Sequence, residues 1–370
     1  MEQTIMTGYS SFYRWFRDNG IKKVLIVSGN SIYKQAINKY INEIPYKIGV
    51  EVIRFSDFSP NPVYEDVVKG VLLFRKEECD AIIAVGGGSS IDVAKCIKLY
   101  SSMRGNGKDG AFLVGKQIPN NLPFMAMPTT AGSGSEATKY AVNYYKDAKQ
   151  SITSDIFIPQ TVLMIPDALR TLPAYQRKAT MCDALCHAIE SYWSVNSTPE
   201  SRLYSHVAIR GIIEHMEGYL NNSDEGNMGM LMAANKAGQA INITQTTAGH
   251  AMCYKITSLF GCAHGHAAIL CNRIIYQWMI HNNKRCADIR GVEYLRGTLN
   301  EIAEALGCEC AEKGAEKLNS IFEELDLEVP TASETQYEEL KCSVNPVRLK
   351  NHPISLDAKT IDELYHSILR

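Results

Sequence analysis

Asp80-Ala-Ile-Ile-Ala-Val-Gly-Gly-Gly-Ser-Ser-Ile-Asp92 is a short apolar run that leads directly into a glycine-rich turn and then a helical pattern. Glycine lets a backbone approach a phosphate closely, and a helix N-terminus offers free N–H groups and a favourable dipole. The stretch therefore predicts a strand, an anion site at Gly86, Gly87 and Gly88, and a helix. It is not the G-x-G-x-x-G dinucleotide fingerprint, so a plain tight turn is the alternative interpretation.

Similar apolar runs recur in the first part of the chain and alternate with helical patterns, which predicts βα units around a mostly parallel sheet. The other predicted strands are 24–27, 50–53, 124–127 and 160–165. After Pro166 long amphipathic stretches take over, at 173–194, 199–220, 226–248, 265–281, 293–306 and 310–325. We therefore expect an α/β domain over 1–167 and an all-helical domain over 168–370.

Length and composition agree with two domains, because 370 residues exceed the size at which one hydrophobic core stops growing. The charged fraction of 21% and the net charge of −2 are typical of a globular protein, and the absence of a basic run argues against nucleic-acid binding. No stretch approaches the roughly 20 apolar residues of a membrane span, and the N-terminus lacks a secretory signal pattern. The 11 cysteines, an odd number, predict reduced thiols and a cytoplasmic protein.

A second polar loop, Pro128-Thr-Thr-Ala-Gly-Ser-Gly-Ser-Glu136, also follows a predicted strand directly. Its hydroxyls and backbone amides suit the ribose and nicotinamide side of a dinucleotide. Both loops follow strands of one parallel sheet, so they belong at the edge where α/β proteins bind ligands. The alternative is a polar surface loop with no ligand.

One carboxylate and three imidazoles form a candidate metal set. Asp183 and His187 lie four residues apart and so share a helix face, while His250 and His264 come from later in the chain. This donor set suits Fe²⁺ or Zn²⁺ and suits Ca²⁺ or Mg²⁺ poorly. A plain Asp–His hydrogen bond is the alternative, and His266 is a rival to His264 that could instead support a ligand or cap a helix.

These four motifs, in this order and spacing, resemble those of the iron-containing (group III) alcohol dehydrogenases. The resemblance covers nearly the whole chain and includes Asp183-Ala-Leu-Cys-His-Ala-Ile-Glu190, Gly249-His-Ala-Met252 and Ala263-His-Gly265. It implies the dehydroquinate synthase-like fold, an N-terminal dinucleotide-binding α/β domain followed by an all-helical domain that binds metal and substrate. It also implies NAD(P)-dependent interconversion of an alcohol with an aldehyde or ketone, and commonly a homodimer.

The resemblance also implies roles for individual residues. The metal ligands would be Asp183, His187, His250 and His264, and Lys149 matches a lysine that the family keeps near the cofactor. The residues that would hold NAD or NADP are Gly29, Ser31, Lys34, Gly86, Gly87, Gly88, Ser89, Asp92, Thr129, Thr130, Ser133 and Lys149.

The chain departs from the family pattern at two positions. Tyr254 stands where many members carry a further histidine, so a phenol becomes the candidate for proton delivery, with Lys149 as the other candidate catalytic group. Gly29 stands where NAD-preferring members tend to carry an aspartate against the adenosine ribose. Since a carboxylate would repel a 2′-phosphate, whereas a glycine with Ser31 and Lys34 nearby can accept one, the sequence favours NADP over NAD.

The segments 249–257 and 343–351 resemble those of phosphonoacetaldehyde reductases in particular. A doubly anionic substrate needs cations, and Lys255, Arg348 and Lys350 are candidates, although each is also explained as a surface charge. The predicted activity is therefore reduction of a small aldehyde, with phosphonoacetaldehyde as one candidate substrate. Three alternatives remain open: a general short-chain alcohol dehydrogenase, a non-redox lyase similar to dehydroquinate synthase, and a non-catalytic nucleotide- or metal-binding protein.

Overall fold

The computed structural model describes residues 3–146 and 148–370, and it divides the chain into two compact units, Met1–Leu172 and Pro173–Arg370. The first unit is a parallel sheet flanked by helices. The second is built of α-helices, with one isolated β-bridge between Cys286 and Ile354. The predicted fold class, an α/β domain followed by an all-helical domain, is confirmed.

Six strands of the first unit form one parallel sheet in the order β1-β8-β5-β4-β2-β3, and β6 and β7 form a separate antiparallel hairpin. Each strand predicted from the sequence is present. Three of them, β4, β5 and β8, are recognisable in the sequence as continuous apolar runs because they are buried on both faces of the sheet. The strands are β1 (Thr4–Thr7), β2 (Lys23–Ser28), β3 (Glu51–Phe55), β4 (Ala81–Gly86), β5 (Phe124–Pro128), β6 (Tyr140–Tyr145), β7 (Ala148–Thr153) and β8 (Thr161–Met164).

Helices cover both faces of this sheet, and alternate residues of each strand point to opposite faces. Ile82 and Ala84 of β4 pack into one core, whereas Ile83 and Val85 pack into the other. The helices of this unit are α1 (Tyr9–Asp18), α2 (Ile37–Ile48), α3 (Tyr64–Lys76), α4 (Gly88–Ser101) and α5 (Ala111–Val114).

The second unit contains the helices that carry the predicted metal ligands. Pro173 lies directly before α6 without a side-chain capping hydrogen bond, whereas Thr198 and Ser201 form a reciprocal capping box at the start of α7. The helices are α6 (Ala174–Trp193), α7 (Pro199–Leu220), α8 (Asp224–Thr244), α9 (Ala248–Phe260), α10 (His264–Asn282), α11 (Val292–Ala305), α12 (Ala311–Glu324), α13 (Glu334–Cys342), α14 (Pro346–Leu349) and α15 (Ala358–Ile368).

One predicted helix, 226–248, is interrupted in the structure. Gln245 has a φ of 60°, which ends α8 at Thr244, and α9 begins four residues later at Ala248. The break places His250 in the first turn of a new helix. Within residues 3–146 and 148–370, every helix is too short or too polar to serve as a membrane span.

Candidate metal centre and dinucleotide loops

The four predicted metal ligands meet around one carboxylate oxygen. Asp183 Oδ1 lies 3.4 Å from His250 Nε2, 3.8 Å from His187 Nε2 and 4.0 Å from His264 Nε2. Tetrahedral ligand atoms at about 2.0–2.2 Å from a metal lie roughly 3.3–3.6 Å apart, so only a small contraction would enclose an ion. Ligand atoms of Asp183, His187 and His250 also lie within 4.8 Å of one another, and these three residues are buried.

Two glycines beside the ligands allow the helices to approach closely enough to form this cage. A Cβ on Gly265 would overlap the carbonyl oxygen of Ala179 on α6, so α10 presses directly against the α6 backbone and brings His264 to Asp183. A Cβ on Gly249 would overlap the side chain of Asn272 on α10. The sequence Gly249-His250 and His264-Gly265 therefore couples each ligand to a close helix contact.

Glu190 supports the cage through His250, a role that was not predicted from the sequence. Glu190 Oε1 lies 2.5 Å from His250 Nδ1 and accepts the His250 N–H at 3.0 Å and the Asn272 amide at 2.9 Å. The other oxygen, Oε2, accepts the N–H and the hydroxyl of Thr247 at 2.6 and 2.7 Å. Because Nδ1 of His250 is held by a carboxylate, Nε2 is left facing Asp183 as a ligand atom. Glu190 lies three residues after His187 on the same helix, and that spacing was the available signal.

The electrostatics of the cage call for a cation. Burial raises the pKa of Asp183, but His187, His250 and His264 outweigh burial and hold that pKa well below its usual range. Burial is likewise outweighed at Glu190, where His250, Asn272 and Thr247 lower the pKa to about 2, and at His250, where the two carboxylates raise the pKa to about 9. Two ionised buried carboxylates need compensating positive charge, and a divalent transition metal can supply it in place of protons. The donor set therefore fits such an ion.

Tyr254 lies beside the cage, with its ring stacked on that of His264 at a centroid distance of 5.3 Å. Burial raises the pKa of Tyr254 well above its usual value, and the nearby charge of Arg348 partly opposes this rise. Arg348 donates to Gln245 Oε1 at 2.9 Å. Lys255, the other predicted substrate cation, forms an ion pair with Glu339 on α13.

His266 is not part of the cage. Its Nδ1 lies 3.0 Å from the Tyr175 hydroxyl, and its Nε2 lies 2.9 Å from the carbonyl oxygen of Glu328. The Tyr175 hydroxyl also accepts the N–H of Ala263, the residue before His264, at 2.8 Å. His266 therefore supports the turn that leads into α10, and His264 is the histidine that faces Asp183.

In the first unit, the two polar loops lie side by side at the carboxyl ends of β4 and β5. Gly86 pairs with Pro128 in the sheet, and the Thr129 N–H donates to the Gly86 carbonyl at 3.1 Å. A Cβ on Gly87 would lie 3.2 Å from Thr130, and one on Gly88 would lie 3.2 Å from Ser133 Oγ. The glycines thus fit closely against the second loop, while Ser89 lies in the first turn of α4.

Asp92 and Lys95 on α4, the helix that follows the first loop, hydrogen-bond to the second loop and to the segment after it. Asp92 accepts the Ser135 hydroxyl at 2.5 Å and the Val142 N–H at 3.0 Å, so both of its oxygens are used inside the protein. Lys95 is fully buried and donates to the carbonyls of Thr138 and Tyr140 at 2.8 and 2.7 Å. These contacts give Asp92, predicted as a cofactor residue, an anchoring role for the second loop. Lys95 was not predicted from the sequence.

Three of the remaining predicted cofactor residues follow β2 at the same edge of the sheet, and the fourth, Lys149, lies on the separate hairpin. Gly29 follows β2, has a φ of −71°, and has open space where a Cβ would stand. Ser31 and Lys34 lie in the short 3₁₀ helix Asn30–Lys34 that comes next. Lys149 lies on β7 opposite Tyr144, and its charge lowers the pKa of Asp92, although less than burial raises it. The carboxyl ends of β2, β4 and β5 therefore carry the candidate nucleotide site.

The carboxylate–histidine cage offers donors that suit a divalent metal, and the two polar loops follow parallel strands at the edge where α/β proteins bind ligands. The family model described as iron-containing alcohol dehydrogenase matches residues 7–166, and the model of the C-terminal part of the Fe-containing alcohol dehydrogenase family matches residues 178–368. The chain belongs to the iron-containing alcohol dehydrogenase family, which confirms the resemblance found in the sequence. It is thus an oxidoreductase of a family that includes alcohol dehydrogenases and aldehyde reductases.

Two relatives and one solved structure illustrate the similarity. The chain is 30% identical to choline dehydrogenase of Bacillus subtilis over 85% of this chain and 78% of the relative. It is 30% identical to phosphonoacetaldehyde reductase of Streptomyces viridochromogenes over 63% of this chain and 62% of the relative. The fold matches that of sulfoacetaldehyde reductase from Bifidobacterium kashiwanohense in complex with NAD⁺, with a TM-score of 0.88, 24% identity and coverage of 99% and 96% of the two chains.

Proposed function

We propose that the protein is an Fe²⁺-dependent, NAD(P)H-linked reductase of small aldehydes. The observation that carries this proposal is the convergence of Asp183, His187, His250 and His264, with Glu190 fixing the orientation of His250. Zn²⁺ suits the same donors and is the alternative ion. When bound, the metal would supply Lewis acidity toward a carbonyl oxygen and the reduced nicotinamide would supply the hydride.

The chain itself would supply orientation and proton control. Glu190 keeps His250 in the tautomer that presents Nε2 to the cage, and the buried walls of α6 and α9 exclude water from it. Since the pKa of Tyr254 is raised, its hydroxyl stays protonated at neutral pH and can donate a hydrogen bond to an oxygen that becomes negative. Tyr254 is therefore our candidate proton donor. Lys149, the other candidate, lies on β7 of the first unit.

For the substrate, we propose an aldehyde with an anionic head, phosphonoacetaldehyde being the test case. Arg348 supports this choice because its positive charge lowers the pKa of Tyr254, although less than burial raises it. Tyr254 in turn stacks on His264, one of the proposed metal ligands. Lys255 supports it less, because Glu339 already neutralises its charge. The relative in Streptomyces viridochromogenes that bears the name phosphonoacetaldehyde reductase adds to the argument. A general short-chain aldehyde such as butanal is the alternative substrate.

A matched pair of variants separates these substrates. Steady-state kinetics would be measured with phosphonoacetaldehyde and with butanal, using NADPH and NADH and protein loaded with Fe²⁺ or Zn²⁺. We expect Arg348→Gln to raise KM for phosphonoacetaldehyde at least about tenfold, because losing a charge-assisted contact weakens binding by about that factor. KM for butanal, which carries no anionic group, should stay unchanged. Lys255→Gln is the control and should change neither KM. A wild-type kcat/KM for butanal equal to or above that for phosphonoacetaldehyde would rule out the anionic substrate.

We infer that NADPH is preferred to NADH, because no carboxylate follows β2 at Gly29 and Lys34 adds positive charge nearby.

We also propose a cytoplasmic homodimer. The 11 cysteines, all of them free, agree with a reducing compartment. Light scattering coupled to size-exclusion chromatography would test the dimer: a mass near 82 kDa, about twice the 41.1 kDa chain, is expected, and a mass of one chain would contradict it.

A further inference from the structure

The first unit contains a cavity at the edge of the sheet opposite to the dinucleotide loops. Its volume is about 340 Å³. It is lined by segments that enter strands: Asn120 and Asn121 precede β5, Asp155–Gln160 precede β8, and Gln3 precedes β1. Since these are the amino ends of the strands and the loops follow the carboxyl ends, this cavity is separate from the site proposed for the nucleotide.

Lys98, in the last turn of α4, forms part of the cavity wall and is fully buried. Its Nζ has no hydrogen-bond partner among the residues that the structure describes, and it lies 5.5 Å from the centre of the Phe124 ring. Burial lowers the pKa of Lys98 to about 8, so most of the amine is still charged at neutral pH. A buried, unpaired ammonium is costly, and an anion in the cavity would relieve that cost.

The other walls indicate which anion fits. The side chains of Asn121 and Gln160 present amide groups, while Ile156 and Ile158 provide apolar surface. The amide oxygen of Gln160 accepts the Phe124 N–H at 3.0 Å, which leaves its NH₂ group as a donor. Asp155 also lines the cavity and disfavours a dianion. One cation, amide donors and apolar surface together suit a small monocarboxylate with a short aliphatic tail.

We propose that this cavity binds a short-chain carboxylate, whose carboxylate group pairs with Lys98 and whose tail lies against Ile156 and Ile158. The Lys98 Nζ is shielded from solvent, so pairing with a carboxylate requires a rotamer change of the flexible four-carbon stem. The site is independent of the metal cage and of the proposed reaction, because none of its residues belongs to either.

Calorimetric titration of the full-length protein at pH 7 and fixed ionic strength tests this proposal. The probes are sodium butyrate, the neutral isostere butyramide and inorganic phosphate. We expect butyrate to bind with a dissociation constant in the low millimolar range, about −4 kcal/mol of binding free energy, and both other probes to bind at least about tenfold more weakly. Phosphate binding as tight as that of butyrate, or butyramide binding as tight, would overturn the proposal.

Variants locate the binding in this cavity. Lys98→Met keeps the length of the stem and removes the charge, so the dissociation constant for butyrate should rise at least about tenfold. Asn121→Ala, at the exposed rim, should raise the dissociation constant for butyrate severalfold and tests a second wall of the cavity independently of Lys98. Butyrate that binds elsewhere, including at the metal cage, would keep its affinity in both variants. Unchanged affinity in both would therefore refute the site.

Discussion

Glu190 shows how much the candidate metal cage depends on a side chain that is not one of its four proposed ligands. All of its close polar neighbours are donors: the N–H and hydroxyl of Thr247, the backbone N–H of His250, His250 Nδ1 and the Asn272 amide. A carboxylate can accept from all of them, whereas a carboxamide must turn its own NH₂ toward a donor. The position therefore requires charge as well as shape.

We accordingly predict that Glu190→Gln weakens divalent metal binding by about 10- to 100-fold, because His250 loses its orienting carboxylate. Competition with a chromogenic chelator, using Zn²⁺ or Co²⁺, would measure this change. The unpaired NH₂ should also lower the free energy of unfolding by about 1–3 kcal/mol. Glu293→Gln on the surface of α11 is the matched control, and equal metal affinity in both variants would contradict the assigned role.

Gly29 offers a direct test of cofactor choice, because its extended backbone and open surroundings admit a side chain without strain. Gly29→Asp should lower kcat/KM with NADPH at least about tenfold, since the carboxylate would repel a 2′-phosphate, and should leave NADH use largely intact. Gly29→Asn, equal in size but neutral, should lower it far less. Equal losses with NADPH and NADH in Gly29→Asp would show that charge at this position does not select the cofactor.

Helix packing builds the cage as much as the ligands do, and the contact of Gly265 on α10 with Ala179 on α6 is the clearest case. Gly265→Ala should push the two helices apart, move His264 away from Asp183 and abolish tight metal binding. Gly297→Ala in α11, where a Cβ meets nothing within 4 Å, is the control and should be neutral or stabilising by up to about 1 kcal/mol. Metal content by mass spectrometry after dialysis distinguishes them, and full occupancy in Gly265→Ala would contradict this packing argument.

Clear hydrophobic runs and helix start signals made some elements predictable, and other elements carry no such signal. The buried strands β4, β5 and β8 are continuous apolar runs, and α6 and α7 carry clear start signals, so the sequence located them. The hairpin of β6 and β7 is mostly half-exposed, and its burial does not follow hydrophobicity, because Asn143 is buried while its neighbours Val142 and Tyr144 are half-buried. The break between α8 and α9 depends on a left-handed Gln245, a residue type that seldom adopts that conformation.

The candidate site was predictable to a similar extent. Asp183 and His187 follow from helix spacing, and the family motifs supplied His250 and His264. Lys95 and Lys98 were missed because a lysine in a helical pattern is normally exposed, and only the folded chain shows that both are buried. Lys255 illustrates the opposite limit, since Glu339 lies 84 residues away and its ion pair cannot be read from sequence.

The stability of the chain as a whole should depend on the protonation of Lys98. Burial lowers the folded-state pKa from 10.5 to about 8, so between these pH values the unfolded chain binds the extra proton and stability rises with pH. We predict that Lys98→Met is more stable than the wild type at pH 7.5, by on the order of 2–3 kcal/mol, and that most of this advantage disappears by pH 10. Urea unfolding of both proteins at the two pH values would measure it.

An exposed lysine provides the comparison for that experiment. Lys359 is 87% exposed, so Lys359→Met should differ from the wild type by the same small amount at both pH values. A gap between wild type and Lys98→Met that stays constant from pH 7.5 to 10 would show that Lys98 titrates normally in the folded protein.

The anchoring of the second loop by Asp92 and Lys95 also limits how this scaffold can be redesigned. Both side chains belong to α4, yet their partners Ser135, Thr138, Tyr140 and Val142 belong to a segment some 40 to 50 positions further along. A chimera that takes only one of these segments from a relative would pair the aspartate and lysine of one protein with the loop of another, and the hydrogen bonds between them would not match. Recombination should therefore exchange 86–98 and 128–143 as one inseparable cassette.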